Sequence, residues 1–137
     1  MGTEVQSNTV FAGVIPYISV DGAAAASEFY QKAFGAKETR RMPAEDGKRL
    51  IHVSLEINGG SLMMSDPFPE AGAAGGPITG CTMTLVVEDI DAWFDRAVAA
   101  GAKATMPVQT MFWGDRYGQL QDPFGVHWAM NSPVKTA

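Results

Sequence analysis

The sequence predicts an α+β fold built from two βαβββ modules. An apolar helical stripe occurs twice, each stripe lies between a cap and a stop, and each follows one β-type run and precedes three more. In the first copy Ala26, Phe29, Tyr30, Ala33 and Phe34 recur at the spacing of one helix face. Ile90, Trp93, Phe94, Ala97 and Val98 repeat that spacing. Asp21 and Asp89 are the residues expected to cap the two helices, near 22–34 and 89–100, and Gly35 and Gly101 are the expected stops.

The strands follow in order. "VIPYISV" (14–20) and "CTMTLVV" (81–87) precede the helices. Three short strands are expected after the first helix, at 36–42, 50–57 and 61–65. Asp46-Gly47 turns between the first pair and Asn58-Gly59-Gly60 between the second. After the second helix the strands are expected at 103–107, 114–121 and 126–131, with Asp122-Pro123-Phe124-Gly125 as a type I turn before the last. The organisation is therefore a flexible N-terminal tail (1–12), a first module (13–66), a mobile Gly/Ala/Pro-rich linker (67–79) and a second module (80–132).

Composition narrows the function classes. With 137 residues, 46% of them hydrophobic, the chain suits an ordinary globular domain. Its net charge of −5 and the lack of a basic run argue against nucleic acid. No apolar run approaches a membrane span and no signal peptide opens the chain, so a cytoplasmic protein is expected. Cys81 is the only cysteine, which excludes an intrachain disulfide; its apolar run suggests a buried thiol. The glycines of the linker lack a following Gly-Lys-Ser/Thr, so no phosphate loop is expected there.

Strand alternation selects the residues on the polar side of each sheet. On the third strand Val53, Leu55 and Ile57 should meet the helix, leaving His52, Ser54 and Glu56 opposite. On the last strand Trp128 and Met130 should be core, leaving His127 and Ala129. Tyr17, Ser19, Met63, Ser65, Thr82 and Thr84 join them by the same parity. His52 and His127 have the side chain suited to general acid or base work near neutrality. With Glu56 they also offer ligands for a metal, and each serves equally as a polar wall residue. Asp115 and Arg116 read as structural ion-pairing residues, and Phe112 and Trp113 as packing or rim.

Two such modules ending in "FWGDRYGQLQDPFGVHW" (112–128) resemble the vicinal oxygen chelate superfamily of glyoxalases, bleomycin-resistance proteins and extradiol dioxygenases. "YISVDGAAAASEFYQKAFGAKE" (17–38) and "IHVSLEINGGSLMMSD" (51–66) are similar, more narrowly, to its PhnB-like branch, also labelled 3-demethylubiquinone methyltransferase-like. The resemblance spans residues 13–132 and implies a curved eight-stranded cup with the helices outside, a small organic ligand and a homodimer.

Metal-using members of the superfamily carry a ligand on the first and last strand of each module. The matching positions here are Ile15, Met63, Thr82 and Ala129, and none offers imidazole or carboxylate. No metal and no cofactor are therefore expected. The methyltransferase label finds no glycine-rich nucleotide loop after the first strand. The expected function is small-molecule binding, with Tyr17, Ser19, His52, Met63, Thr82, Thr84 and His127 as ligand contacts. The alternative is a lyase, isomerase or dioxygenase acting through His52, Glu56 and His127, with or without a displaced metal.

Overall fold

The computed structural model describes residues 12–134. They form two compact units that divide between Ile78 and Thr79. The expected N-terminal tail lies, apart from Ala12, outside the described residues. The first unit runs β1 (Tyr17–Ser19), α1 (Ala23–Phe34), β2 (Lys37–Pro43), β3 (Leu50–Ile57) and β4 (Gly60–Ser65). The second runs β5 (Thr82–Val86), α2 (Ile90–Ala100), β6 (Lys103–Thr110), β7 (Arg116–Gln121) and β8 (His127–Ser132). Each is βαβββ, as the sequence predicts.

The two sheets share one topology. The orders are β1-β4-β3-β2 and β5-β8-β7-β6, and in each the first strand runs parallel to the last while the other pairs are antiparallel. α1 packs on β3 and β2, burying Ala23, Ala26, Tyr30, Ala33 and Phe34 against Val53, Leu55 and Met64 of the sheet's core. α2 buries a narrower stripe, Ile90, Phe94 and Ala97; Val98 of the expected stripe is 42% exposed. Gly118 on β7 permits the close approach there, because an added Cβ would stand 2.9 Å from the Phe94 ring.

The strands deviate from expectation where proline interferes. β1 begins at Tyr17, not at Val14, because Pro16 has no N–H for the ladder; its carbonyl still accepts from Met63 N at 3.0 Å. Ile15 therefore lies outside any strand. β6 continues past Pro107 to Thr110, its register shifting between Ala104 and Met106 and between Met106 and Gln109. It is an edge strand, where proline and irregular pairing are tolerated. β7 starts at Arg116 because residues 111–115 close a turn, Gly114 N donating to Met111 O and Met111 N to Asp115 O.

The turns form at the dipeptides that signal them. Asn58 and Gly59 have φ of 51° and 83°, the paired positive values of a two-residue hairpin turn. Asp46 accepts from the backbone N–H of Arg49 and Lys48 and from the Arg49 side chain, which together hold its carboxyl well below the usual range. Gly125 N donates to Asp122 O at 3.1 Å, closing the last turn.

Helix capping departs from expectation in the first unit. Asp21 does not cap α1. The N-cap is Gly22, in a left-handed conformation at φ 98°, and the acceptor comes from the end of β4: Asp66 Oδ1 receives Gly22 N at 2.7 Å and Ala23 N at 3.0 Å. Its Oδ2 receives Leu50 N at 2.7 Å. In the second unit Asp89 does cap α2, accepting from Ala92 N.

The stretch expected as a linker starts with local order. A 3₁₀ turn, Pro69–Ala71, lies inside a Phe68–Ala73 bridge, with Arg49 stacked over the Phe68 ring and paired to Glu70. Cys81, expected buried, is exposed. It shares the parity of the buried Met83, Leu85 and Val87 but precedes the first laddered residue, Thr82, so no neighbouring strand covers it.

Candidate functional site

On the sheet of the first unit, cross-strand register gathers one polar row. Tyr17 on β1 lies beside Met63 on β4, Met63 beside Ser54 on β3, and Ser54 beside Arg40 on β2. Side chains directly opposite share a face, so these four stand on one side of the sheet, away from the parity of Val53, Leu55 and Met64. His52 stands two residues from Ser54 on the same face.

Three of these side chains form a hydrogen-bond chain. The Tyr17 hydroxyl lies 3.0 Å from His52 Nδ1, and His52 Nε2 lies 2.6 Å from Ser54 Oγ. A neutral imidazole has one N–H and one acceptor nitrogen, so either tautomer completes the chain. The Tyr17 and His52 rings are tilted at 46° with centroids 5.5 Å apart. Ser54 is buried, His52 half-buried and Tyr17 exposed, so the chain runs from the sheet surface inward.

Burial, and then the Arg40 charge, hold the His52 imidazole below its ordinary value of 6.5. The unfolded chain therefore binds a proton there at a higher pH than the folded one. The stability linked to His52 is complete above that ordinary value and is lost as pH falls towards the lower folded value. Urea midpoints measured near neutrality and at about pH 5 should fall for the native chain, and His52→Phe should flatten that fall.

Other predicted site residues fall into three groups. Ser19, on β1, has a buried Oγ with no hydrogen-bond partner among the described residues, close to Gly75. Glu56 lies opposite Lys37 and Ser61, one step along β3 from Ser54. Thr82, Thr84 and His127 belong to the second unit: Thr82 pairs with His127, His127 with Gln121, and Thr84 with the buried Ala129. The two histidines are not equivalent in the repeat, because His52 corresponds in register to Tyr117 and His127 to Ser61. Tyr117 receives a hydrogen bond from Gln119 Nε2 at 3.0 Å, as Ser54 and His52 are joined in the first unit.

Asp115 and Arg116 are structural. Asp115 accepts from Asn131 Nδ2 and Val134 N, which hold its carboxyl below the usual carboxylate range, and Arg116 pairs with Asp91 at 2.8 Å. Phe112 and Trp113 pack edge to face on each other and remain exposed.

The donor set does not fit a divalent metal. Met63, Thr82 and Ala129 supply a thioether, a hydroxyl and a methyl group, and Ile15 supplies an alkyl chain. Among the described residues no three His, Cys, Asp or Glu side chains come together in a metal-holding group. No helix among them is long and apolar enough to cross a membrane.

One residue of this face, Arg40, carries no recognisable signal in the sequence, whereas alternation places Ser54 here. Arg40 joins it because a bulge between Glu38 and Arg40 resets the alternation of β2. Ser54 follows the parity of His52, but its burial depends on neighbours in other strands.

Comparison with known proteins agrees with this architecture. Residues 11–130 match the model of the Glyoxalase/Bleomycin resistance protein/Dioxygenase superfamily. The uncharacterised protein Mb0911c of Mycobacterium bovis is 45% identical over 126 residues, covering 88% of this chain and 82% of that one. The crystal structure of PA1353 from Pseudomonas aeruginosa superposes with a TM-score of 0.74 at 26% identity, over 91% of this chain and all of that one. A PhnB protein from Bacillus cereus shares the fold, at a TM-score of 0.67 and 21% identity, over 89% of this chain and 100% of that one. With this match across nearly the whole chain, and two βαβββ units of one topology beneath it, the protein belongs to the Glyoxalase/Bleomycin resistance protein/Dioxygenase superfamily.

Proposed function

We propose that the protein binds a small organic molecule on the polar face of the first unit's sheet, without a metal. The observation that carries this is the chain from Tyr17 through His52 to Ser54, which presents hydrogen-bonding groups beside the thioether of Met63. Such a face suits a ligand with an apolar body and a polar handle. The motifs at 17–38 and 51–66, together with the Bacillus cereus neighbour, support the narrower inference of a PhnB-like protein.

The enzyme alternative, a lyase, isomerase or dioxygenase, draws its support from one residue. A His52 kept neutral near pH 7 and linked to a phenol is a competent base. Among the described residues the hydrogen bonds of His52 go to Tyr17 and Ser54 and not to Glu56, so binding is the better-supported reading.

Ligand-observed NMR against a panel of small aromatics, alcohols and organic acids tests the proposal. His52→Phe should weaken each hit on this face by about 0.5–1.5 kcal/mol per hydrogen bond lost. His127→Phe, in the second unit, separates a first-unit site from one that also draws on His127. Hits bound equally well by His52→Phe and the native chain would overturn the assignment.

A further inference from the structure

We propose that the polar face of the first unit selects ligands carrying an anionic oxygen group, a carboxylate or a phosphate, through the guanidinium of Arg40. This rests on the binding function proposed above and names the chemical class of its ligand.

Three arginines already have carboxylate partners. Arg41 pairs with Glu38 at 2.9 Å, Arg49 with Asp46 at 2.7 Å and Glu70 at 2.8 Å, and Arg116 with Asp91 at 2.8 Å. Arg40 differs. Its Nε, like that of Arg116, is buried without a hydrogen-bond partner among the described residues, but unlike Arg116 it has no ion pair to a described carboxylate. A cation partly removed from water without a counter-charge is unfavourable, and an arriving anion relieves that cost.

Its position supplies the rest. Arg40 lies directly across from Ser54 in the row that continues through Met63 to Tyr17. His52 stands on the same face near enough to feel its charge. Glu56, the carboxylate on this face, is placed opposite Lys37. An oxygen anion meeting Arg40 would thus find hydroxyl and imidazole groups beside the cation, and the Met63 side chain would be available to the ligand's apolar part. The chain carries net negative charge, so this local cation is not part of a general basic surface that would attract any anion.

Benzoate and benzamide test this, because they are close in shape and differ in charge. Each is titrated into the full-length chain, with the ring-proton signals of the two histidines as reporters and His52→Phe used to assign them. Benzoate should move the His52 signal and bind about tenfold more tightly than benzamide, as a charge-assisted contact implies. Arg40→Met should abolish that preference, and Arg40→Gln provides a second uncharged variant should the first fail to fold. Arg40→Lys should retain part of it. Inorganic phosphate, titrated in parallel, distinguishes a phosphate site from a carboxylate site by which anion displaces the other. A benzoate preference unchanged in the uncharged variants overturns the inference, as does a His52 signal untouched by both anions. Benzamide binding at His52 as tightly as benzoate also overturns it, while leaving the binding function standing.

Discussion

Replacing Asp66 by Ala is expected to destabilise the protein by about 3–5 kcal/mol, the cost of removing a buried charged acceptor from its donors. The Asp66 carboxylate receives Gly22 N, Ala23 N and Leu50 N, all within 3.0 Å, and the residue is only 4% exposed. It fixes the first turn of α1 and the start of β3 from the end of β4. Those N–H groups belong to a helix start and a strand start, which no neighbouring carbonyl of the same element serves. Asp66→Asn keeps one acceptor oxygen but turns an NH₂ towards a donor, so an intermediate loss is expected. Urea unfolding followed by circular dichroism reads both. A loss below about 1 kcal/mol for the Ala variant would show that water replaces the carboxylate.

Trp128→Ala should cost a similar amount in the second unit, about 3–5 kcal/mol. The side chain is 2% exposed between β5 and β7 neighbours, and its Nε1 donates to Asp122 Oδ2 at 2.9 Å. The truncation leaves a cavity and removes one of the donors that hold Asp122. Asp122 Oδ1 also receives Phe124 N and Val126 N, so the turn before β8 is stapled to the strand's own core residue. Trp128→Phe retains most of the burial and loses the hydrogen bond, for which about 1–3 kcal/mol is expected. Denaturant midpoints of the two variants separate packing from hydrogen bonding. Equal midpoints would mean that the bond to Asp122, not the volume, dominates.

The fold was legible because its signals are local. The stripe through Tyr30 and the stripe through Phe94 each need only twelve residues of context, and Asn58-Gly59 needs two. The β1 start moved because Pro16 has no N–H for the ladder, and the β7 start because residues 111–115 close a turn. The β6 end moved because an irregular edge strand tolerates Pro107. The cap of α1 was not legible, because its acceptor lies 44 residues away from Gly22. Nothing near Asp21 signals that Gly22 will take the N-cap instead. The same division holds for the site. Period-two alternation put Tyr17, His52 and Met63 on one face, but it cannot count across the bulge before Arg40. The apolar run misled at Cys81, which is exposed because its position precedes the ladder.

The most direct test of small-molecule binding on the first unit's polar face is amide-shift mapping with isotope-labelled protein. The hit used is the tightest found among the small aromatics and organic acids. Saturable shifts are expected, centred on Tyr17, Arg40, His52, Ser54 and Met63, with the His52 ring signals moving in step. Saturable shifts confined to other surfaces, with those five residues unmoved, would contradict it.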